Sequence, residues 1–363
     1  MGVETAMADV IRESADQHYK EELSLLIDTD TGPKPAGWQM SALAVKHFVL
    51  GCDRLNISKK YFGDDAMVER AIVSLMGNQG LMMVGEPGTA KSMLSELLAC
   101  AISGTSELLI QGTAGTSEEQ LKYTWNFALL LSNGPSLESL IKSPVYQAME
   151  QGKVVRIEEI TRCPQEIQDA LISILSEKQL MIPELGICLQ AKPGFNIIAT
   201  ANLADRGVNE MSSALKRRFN FETVPVIKDK AMERELILSQ VGTMLQQQSI
   251  PLQLDSALVE LLVDVFSDLR KQIQGEMQTL NAVLSTAEAV NIMYSSALHC
   301  HFMGTPMSAT QLAQQMQGTL LKDNGDDKKK LGHYIDVIAR ERATSSAHWQ
   351  CFFESGRDLW MRR

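Results

Sequence analysis

The chain has 363 residues, of which 45% are hydrophobic and 21% are charged, proportions that are ordinary for a folded globular protein. Its 34 basic and 44 acidic side chains give a net charge of −10, and because nucleic-acid binders usually carry a basic balance, nucleic acid is not an expected partner. No apolar run approaches membrane-spanning length, and six widely spaced cysteines without a Cys-x-x-Cys pair are typical of reduced thiols, so we expect a cytoplasmic protein and no membrane partner.

The first part of the chain predicts helices and carries no evident chemistry. Residues 1–45 read as polar amphipathic helices. They are followed by an aromatic-glycine loop, Tyr61, Phe62 and Gly63, just before another amphipathic helix. Such a loop can seat a purine base beside a phosphate-binding loop, and core packing of the two aromatic rings is an equally good interpretation.

A phosphate-binding loop is the strongest signal in the sequence. The apolar run 81–84 predicts a short buried strand, and apolar residues at helical spacing follow Ser92. In a loop between such a strand and helix, backbone N–H groups face an anion, Lys91 can reach the β- and γ-phosphates, and the Ser92 hydroxyl can hold Mg²⁺. Ala90 stands where a third glycine is usual, and we expect it to have helical backbone angles. The residues expected to contact the nucleotide here are Gly85, Glu86, Pro87, Gly88, Thr89, Ala90, Lys91, Ser92 and Met93.

The next segment combines a strand, an insertion and a short helix. Residues 108–110 predict a strand, and the spacing of Thr116 and Glu119 predicts a capping box. Residues 122–141 are longer than a strand-to-helix connection requires and read as an insertion. Ser143 and Pro144 begin a helix that Gly152 can end.

Two acidic residues end the next strand. Residues 153–157 predict a buried strand that leads into Glu158 and Glu159. At the carboxyl edge of a parallel sheet, Glu158 would bind Mg²⁺ through water and Glu159 would orient or deprotonate the attacking water. The alternative interpretation is a solvated acidic face.

The remaining strands lead to an all-helical C-terminal part. Apolar and polar residues alternate over 179–191, a pattern that predicts a β-hairpin. A strand over 195–199 brings Asn202 to the same edge of the sheet as Glu159. Arg217 and Arg218 precede a fifth strand over 219–224, and they could also be a solvated helix end.

Beyond Pro225 the apolar residues recur at helical spacing, with Asp255 as a cap and Ser285 and Glu288 as a capping box. The last aromatics predict core packing: Trp349, Phe352, Phe353 and Trp360.

In this order, the motifs resemble those of the AAA+ ATPases, specifically the MoxR group and, within it, the YehL-like proteins. The resemblance implies an α/β fold, an AAA+ P-loop core with a parallel five-stranded sheet, followed by an all-helical C-terminal lid. The implied domains are an N-terminal helical segment (1–45), the nucleotide-binding domain with a helix-2 insertion and a pre-sensor-1 hairpin (46–225), and the lid with the C-terminal helices (226–363). The stretches that carry the resemblance are 85–92, 158–164, 169–178, 198–202 and 214–219.

The resemblance also implies roles for single residues. Lys91 and Ser92 belong to Walker A, Glu158 and Glu159 to Walker B, and Asn202 is sensor 1. Arg218 matches the arginine finger, with Arg217 as a second candidate. Such an arginine acts on the nucleotide of the neighbouring subunit, so the resemblance implies a homo-oligomeric ring, expected to be a hexamer.

Two positions depart from the family pattern. Glu158 stands where aspartate is usual, and Thr286 lies where many MoxR proteins carry the sensor 2 arginine. The second departure predicts slow hydrolysis.

The expected function is remodelling or maturation of a protein client, driven by Mg²⁺-ATP hydrolysis and assisted by a von Willebrand factor A-domain partner. Two alternatives stay open. One is a nucleotide-driven, DNA-linked motor of the restriction type, against which the acidic charge argues. The other is a nucleotide-dependent assembly scaffold with little turnover, favoured by Thr286.

Overall fold

The computed structural model describes residues 12–202, 208–270, 284–321 and 325–361. The chain divides into two compact units, one comprising Met1–Glu86 and Ala90–Pro225 and the other comprising Pro87–Thr89 and Val226–Arg363. All the described strands lie in the first unit, and the second is helical. None of the helices in the described ranges has the length and apolar character needed to cross a membrane.

A five-stranded parallel sheet forms the centre of the first unit and confirms the predicted α/β core. The strands in chain order are β1 (Gly80–Val84), β2 (Leu109–Gln111), β3 (Tyr123–Trp125), β4 (Leu140–Lys142), β5 (Val154–Glu158), β6 (Gln179–Ile182), β7 (Ile187–Gln190), β8 (Asn196–Ala201) and β9 (Phe219–Thr223). The sheet has the order β2-β5-β8-β1-β9, and every neighbouring pair is parallel. β1 therefore lies between β8 and β9, so the loop that follows it begins at the end of an inner strand of the sheet.

Helices cover both faces of this sheet. They are α1 (Ala15–His18), α2 (Lys20–Thr29), α3 (Ala42–Leu50), α4 (Asp65–Met76), α5 (Lys91–Ser103), α6 (Glu118–Leu121), α7 (Phe127–Asn133), α8 (Pro144–Gln151), α9 (Gln165–Glu177) and α10 (Ser213–Lys216). Side chains alternate across a strand, so Leu81 and Met83 join the core made with α1–α5, whereas Met82 and Val84 join the core that includes α8 and α9. Burial on both faces explains why β1 reads as a continuous apolar run.

The N-terminal helices are packed into the first unit. Leu23 and Leu26 of α2 lie in the same core as Leu98 of α5. Polar contacts add to this packing, because the backbone N–H of Ala15 donates to Glu96 Oε1 over 3.1 Å and Arg12 pairs with Glu96 Oε2 at 2.6 Å. The N-terminal segment thus contacts the helix that follows the phosphate loop.

Two antiparallel hairpins project from the main sheet. β3 and β4 pair around α7 within the segment interpreted as an insertion, and β6 pairs with β7 as the alternating pattern of 179–191 predicts. The hairpin β6–β7 turns through Gly186, which has a φ of 64°.

Helix caps follow the sequence signals with one exception. Ser143 accepts from Tyr146 N over 3.0 Å at the start of α8, and Gly152 ends it in the left-handed region. The capping box predicted at Thr116 is wrong by one residue. Helix α6 begins after Ser117, whose N–H donates to Gln120 Oε1, while Thr116 Oγ1 accepts from Thr113 N. Thr116 is therefore used in the preceding turn.

The second unit confirms the predicted all-helical C-terminal part. Its helices are α11 (Lys230–Gln247), α12 (Ser256–Arg270), α13 (Thr286–Met303), α14 (Ala309–Leu320), α15 (Gly325–Tyr334), α16 (Arg340–Arg342) and α17 (Ala347–Gly356), with π-helical turns over Ile335–Ala339 and Arg357–Met361. The predicted capping box of Ser285 and Glu288 is present at the start of α13. Trp349, Phe352 and Trp360 are buried, as predicted, whereas Phe353 is only half-buried.

Candidate functional site

Lys91 lies inside the predicted phosphate loop, which connects β1 to α5. Its side chain is buried, with 6% of the residue exposed, and Nζ donates to the carbonyl oxygens of Gly85 and Glu86 over 2.9 and 2.7 Å. Burial lowers the pKa of Lys91, while the nearby carboxylates of Glu159 and Glu158 oppose this shift. The ammonium group is thus held across the loop, on the carbonyls of the residues that begin it.

Ala90 does not have the helical backbone angles expected from the sequence. Its φ of 64° and ψ of 20° lie in the left-handed region, and α5 begins only at Lys91. A left-handed conformation brings Cβ too close to the following carbonyl oxygen and costs about 1–2 kcal/mol for a residue other than glycine. The loop therefore keeps the geometry for which glycine is suited, and alanine adopts it with strain.

Glu158 lies at the end of β5 and accepts hydrogen bonds on both carboxylate oxygens. Ser92 Oγ and Thr200 Oγ1 donate to Oε2 over 2.7 and 2.6 Å. Ser95 Oγ and Arg156 Nη2 contact Oε1 at 2.5 and 3.1 Å. Each oxygen of the carboxylate is thus contacted by two donors.

These donors keep Glu158 ionised although it is buried. Burial alone would raise the pKa of this carboxyl, but hydrogen bonds from Ser95, Thr200 and Ser92 and the charge of Arg156 outweigh it, so the pKa is lowered. The site thus presents a buried carboxylate at the carboxyl edge of the sheet.

Glu159 and Asn202 flank the same edge. Glu159 has a left-handed conformation, with φ 54° and ψ 46°, and its N–H donates to Thr200 Oγ1 over 3.0 Å. Its Oε2 is buried, accepts no hydrogen bond from the described residues, and lies 3.5 Å from Arg162 Nε. Asn202 follows β8, whose last residue Ala201 pairs with Val84. The fold therefore brings Glu159 and Asn202 towards the start of the phosphate loop.

Arg217 and Arg218 lie at the opposite edge of the sheet. Arg218 O accepts from Gly80 N over 2.9 Å at the start of β1. The Arg218 guanidinium donates to Ser176 Oγ and to Ala214 O over 2.9 and 2.8 Å. At 3.3 Å per residue, the five residues of β1 separate these arginines from the phosphate loop by roughly 17 Å.

Tyr61 and Phe62 are buried in the first unit. Tyr61 belongs to the core formed with α1–α5, and a Cβ built on Gly63 would lie 2.5 Å from its hydroxyl oxygen. Lys59 Nζ lies 5.2 Å from the centre of the Phe62 ring. The aromatic rings thus contact protein, and a base-stacking role for them stays a prediction.

The sequence interpretation missed several residues that surround the acidic pair. Ser95, Arg156 and Thr200 all contact Glu158, and a Cβ on Gly112 would lie 2.4 Å from the carbonyl oxygen of Glu159. One signal was available, because Arg156 stands two residues before Glu158 and therefore shares its face of β5.

The donor set around Ser92 and Glu158 fits Mg²⁺, which prefers oxygen ligands. Ser92 has a single hydroxyl proton and gives it to Glu158, so the lone pairs of Ser92 Oγ remain for a cation. The side chain of Ser92 is also exposed, unlike that of Glu158.

In the second unit, Thr286 occupies the position at which the family resemblance places an arginine. Thr286 Oγ1 donates to Glu233 Oε1 over 2.8 Å, and Arg270 pairs with both oxygens of Glu233 at 2.8 and 2.9 Å. Glu233 is only 2% exposed. Thr286 is therefore part of a buried ion-pair cluster.

Two family models match the chain, one in each unit. Residues 80–219 match the AAA domain of the dynein-related subfamily, and residues 231–359 match the YehL-like AAA+ ATPase C-terminal domain.

Relatives extend the match over almost the whole chain. YehL of Escherichia coli K12 is 48% identical over 343 residues, which cover 93% of this chain and 94% of that protein. SH1500 of Staphylococcus haemolyticus is 27% identical over 246 residues, covering 65% of this chain and 88% of that protein. Among solved structures, NtrX from Brucella abortus in complex with ATP aligns with a TM-score of 0.48 and 14% identity, covering 81% of this chain and 61% of that one, a likeness too low to bear on function.

The AAA+ and YehL-like resemblance carried by the ordered motifs is thus confirmed by family models in both units and by a relative aligned over 93% of the chain. Because YehL is 48% identical over 93% of this chain, the chain belongs to the YehL-like AAA+ ATPases.

Proposed function

We propose that this protein binds Mg²⁺-ATP and hydrolyses it within a homo-oligomeric ring, expected to be a hexamer. The observation that carries the proposal is the hydrogen bond between Ser92 Oγ and Glu158 Oε2, which joins the phosphate loop to the acidic pair at the carboxyl edge of the sheet. Nucleotides bind at this edge of α/β sheets, beside a helix N-terminus.

The basic residue of the site would contact the phosphates, and the residues with oxygen ligands would hold the metal. Lys91 would leave the carbonyls of Gly85 and Glu86 and donate to the β- and γ-phosphates. Ser92 and Glu158 would hold Mg²⁺, with Glu158 acting through water. The metal, when bound, supplies positive charge that neutralises the phosphate oxygens.

Glu159 would orient the attacking water and accept its proton. Its backbone is held by Thr200, and its buried Oε2 retains capacity to accept a hydrogen bond. Asn202, at the end of the neighbouring strand, would hold the same water from the other side. Together they would act as a base and a positioning amide.

Arg218 would serve the nucleotide of the adjacent subunit, with Arg217 as the second candidate. Roughly 17 Å of strand separates Arg218 from the phosphate loop of its own chain, which is longer than an arginine side chain. A guanidinium supplied by a neighbour would stabilise the charge on the transferred phosphoryl group. This geometry supports a ring in which each site is completed by the next subunit.

A protein is the proposed client, and a von Willebrand factor A-domain protein the proposed partner. Helix α7 of the insertion supports a protein-contacting role, because Phe127 is 70% and Leu131 88% exposed. All six cysteines are free thiols, which supports a cytoplasmic location.

One observation favours a second function, a nucleotide-dependent assembly scaffold with little turnover. Thr286 has no guanidinium to offer the nucleotide, and Arg270, which could supply one, is paired with the buried carboxylate of Glu233. A lid without an available arginine would support binding and assembly more readily than rapid hydrolysis.

ATP turnover and native mass, each with and without nucleotide, test the proposal. Lys91→Ala should lose nucleotide binding, while Glu159→Gln and Arg218→Ala should keep binding and lose turnover by at least a hundredfold. Glu166→Gln, an exposed glutamate on α9, is the matched control and should behave as wild type. Assembly with ATP but no turnover by wild type would favour the scaffold, and no nucleotide binding at all would overturn both.

A further inference from the structure

We propose that Arg156 is a positioning residue that turns one oxygen of Glu158 away from the metal and thereby makes the site select Mg²⁺ over Ca²⁺. The proposal rests on the proposed function, because it concerns the same nucleotide site. Neither the family resemblance nor the phosphate-loop motif assigns a role to this arginine.

Arg156 is buried in the middle of β5 and makes polar contacts with three parts of the first unit. Its Nε donates to Ser95 Oγ over 2.9 Å and its Nη2 to Ser92 O over 3.1 Å, both on α5. Nη1 donates to Ser106 O over 3.1 Å, in the connection to β2. Nη2 also lies 3.1 Å from Glu158 Oε1. The guanidinium therefore cannot change direction without breaking contacts on every side.

Stability alone gives a poor reason for this arrangement. Removing two charges from water carries a large free-energy cost, and apolar residues of similar volume in their place often give a protein that is as stable or more stable. The side chains of Arg156 and Glu158 are only 7% and 5% exposed. A better explanation for this buried pair is that Arg156 fixes the orientation of the Glu158 carboxylate.

The two oxygens of Glu158 have different surroundings. Oε1 faces Arg156 and Ser95, within the protein, whereas Oε2 faces Ser92 and Thr200. Because Ser92 is the other proposed metal ligand, only Oε2 would face a metal bound there. Arg156 and Ser95 thus hold the carboxylate so that it acts through one oxygen.

Use of one oxygen distinguishes the two cations. Mg²⁺ requires near-octahedral coordination and keeps several waters, whereas Ca²⁺ accepts six to eight oxygens and readily binds both oxygens of one carboxylate. A glutamate has one more side-chain torsion than the usual aspartate, and hence more ways to turn both oxygens towards a cation. In this chain, contacts with Arg156 remove that freedom.

The test is metal-dependent binding of an ATP analogue with a fluorophore on its ribose, measured with the full chain at fixed analogue concentration. The half-saturating concentrations of Mg²⁺ and Ca²⁺ give a Ca²⁺/Mg²⁺ ratio for each variant. The affinity of the free analogue for each metal is the same in every sample, so a change in the ratio between variants is due to the protein. In Arg156→Met, which keeps an unbranched apolar stem and removes the donors, we expect the ratio to fall at least tenfold.

Two further variants and a control separate positioning from folding. Ser95→Ala removes the other donor to Oε1 without changing a charge, and should lower the ratio by a smaller factor even if Arg156→Met fails to fold. Arg156→Lys, which keeps the charge, should recover part of the wild-type ratio. Arg54→Met, at an exposed arginine, should leave it unchanged.

The outcomes distinguish this inference from the proposed function. A wild-type ratio, within twofold, in folded Arg156→Met or in Ser95→Ala would overturn the role of Arg156 while leaving the ATPase proposal intact. Wild-type protein that does not bind the analogue with either metal would overturn both. A lower melting temperature without a change in the ratio would show that Arg156 acts only on stability.

Discussion

Ser92 Oγ lies 2.7 Å from Glu158 Oε2, so the residue after the loop lysine is joined directly to the first acid of the acidic pair. The two residues are 66 positions apart in the chain and meet because β1 and β5 both end at the carboxyl edge of one parallel sheet. Each residue is a modest signal alone. Their contact defines the site.

Glu158 should make the stability of the protein depend on acidity. Its pKa is lowered in the folded state from the usual 4.5, so its contribution is present above pH 4.5 and is lost as pH falls through the folded-state pKa. The glutamine in Glu158→Gln does not titrate, so the free energy of unfolding of this variant should fall less steeply than that of wild type as the pH drops below 4.5. Denaturant unfolding at a series of pH values measures this.

At neutral pH the same substitution should be strongly destabilising, by about 3–5 kcal/mol, because Arg156 is left as an uncompensated buried charge. Glu166→Gln, at an exposed position, serves as the control and should keep the wild-type pH dependence. Equal slopes for wild type and Glu158→Gln would contradict this assignment.

Ala90→Gly should stabilise the protein. Ala90 has a φ of 64°, and glycine adopts this conformation without the Cβ conflict, so we expect a gain of about 1 kcal/mol despite the greater freedom of glycine in the unfolded chain. Thermal melting without nucleotide is the measurement. Ala170→Gly in the interior of α9 is the control and should have the opposite sign, because glycine costs about 1 kcal/mol in a helix.

Mixing two inactive variants should restore turnover if Arg218 acts on a neighbouring subunit. Lys91→Ala should lack nucleotide binding but retain Arg218, whereas Arg218→Ala should retain the phosphate loop. In mixed rings, some intact loops would face an intact Arg218, so ATP turnover should exceed the sum of the two separate samples. Turnover of the mixture that stays at the level of the separate variants at every ratio would argue against action in trans.

Lys178→Met should raise stability by about 1–3 kcal/mol, the usual cost of a buried polar group without a hydrogen bond. Lys178 Nζ is buried without a hydrogen-bond partner among the described residues, although it lies 5.6 Å from the centre of the Phe195 ring. Unfolding by denaturant measures the gain, and Lys216→Met, at an exposed lysine, should change stability little.

The gain from Lys178→Met should also depend on pH. Burial lowers the pKa of Lys178, so the penalty is complete below the folded-state pKa and fades as pH rises towards the unfolded-state value. The difference between the variant and wild type should therefore shrink at alkaline pH. A difference that grows with pH would contradict the burial of this ammonium group as a cost.

The sequence by itself determined the features that depend on neighbouring residues. The phosphate loop lies between a strand and a helix as predicted, Glu158 ends a buried strand, and Ser285 and Glu288 cap α13. These follow from hydrophobic periodicity and from side chains that bond to backbone groups three residues away. Such interactions are complete within a few residues, so they can be read from one stretch of chain.

Only the tertiary structure decided which side chains surround Glu158 and how the loop closes. Ser95 and Thr200 reach Glu158 from 63 and 42 positions away, and Ala90 is forced into the left-handed region by the closure of its loop. The burial of Lys178 likewise results from packing of distant segments. Contacts of this range depend on how strands are ordered in the sheet, because the order decides which strand ends become neighbours, and no local pattern in the sequence contains that order.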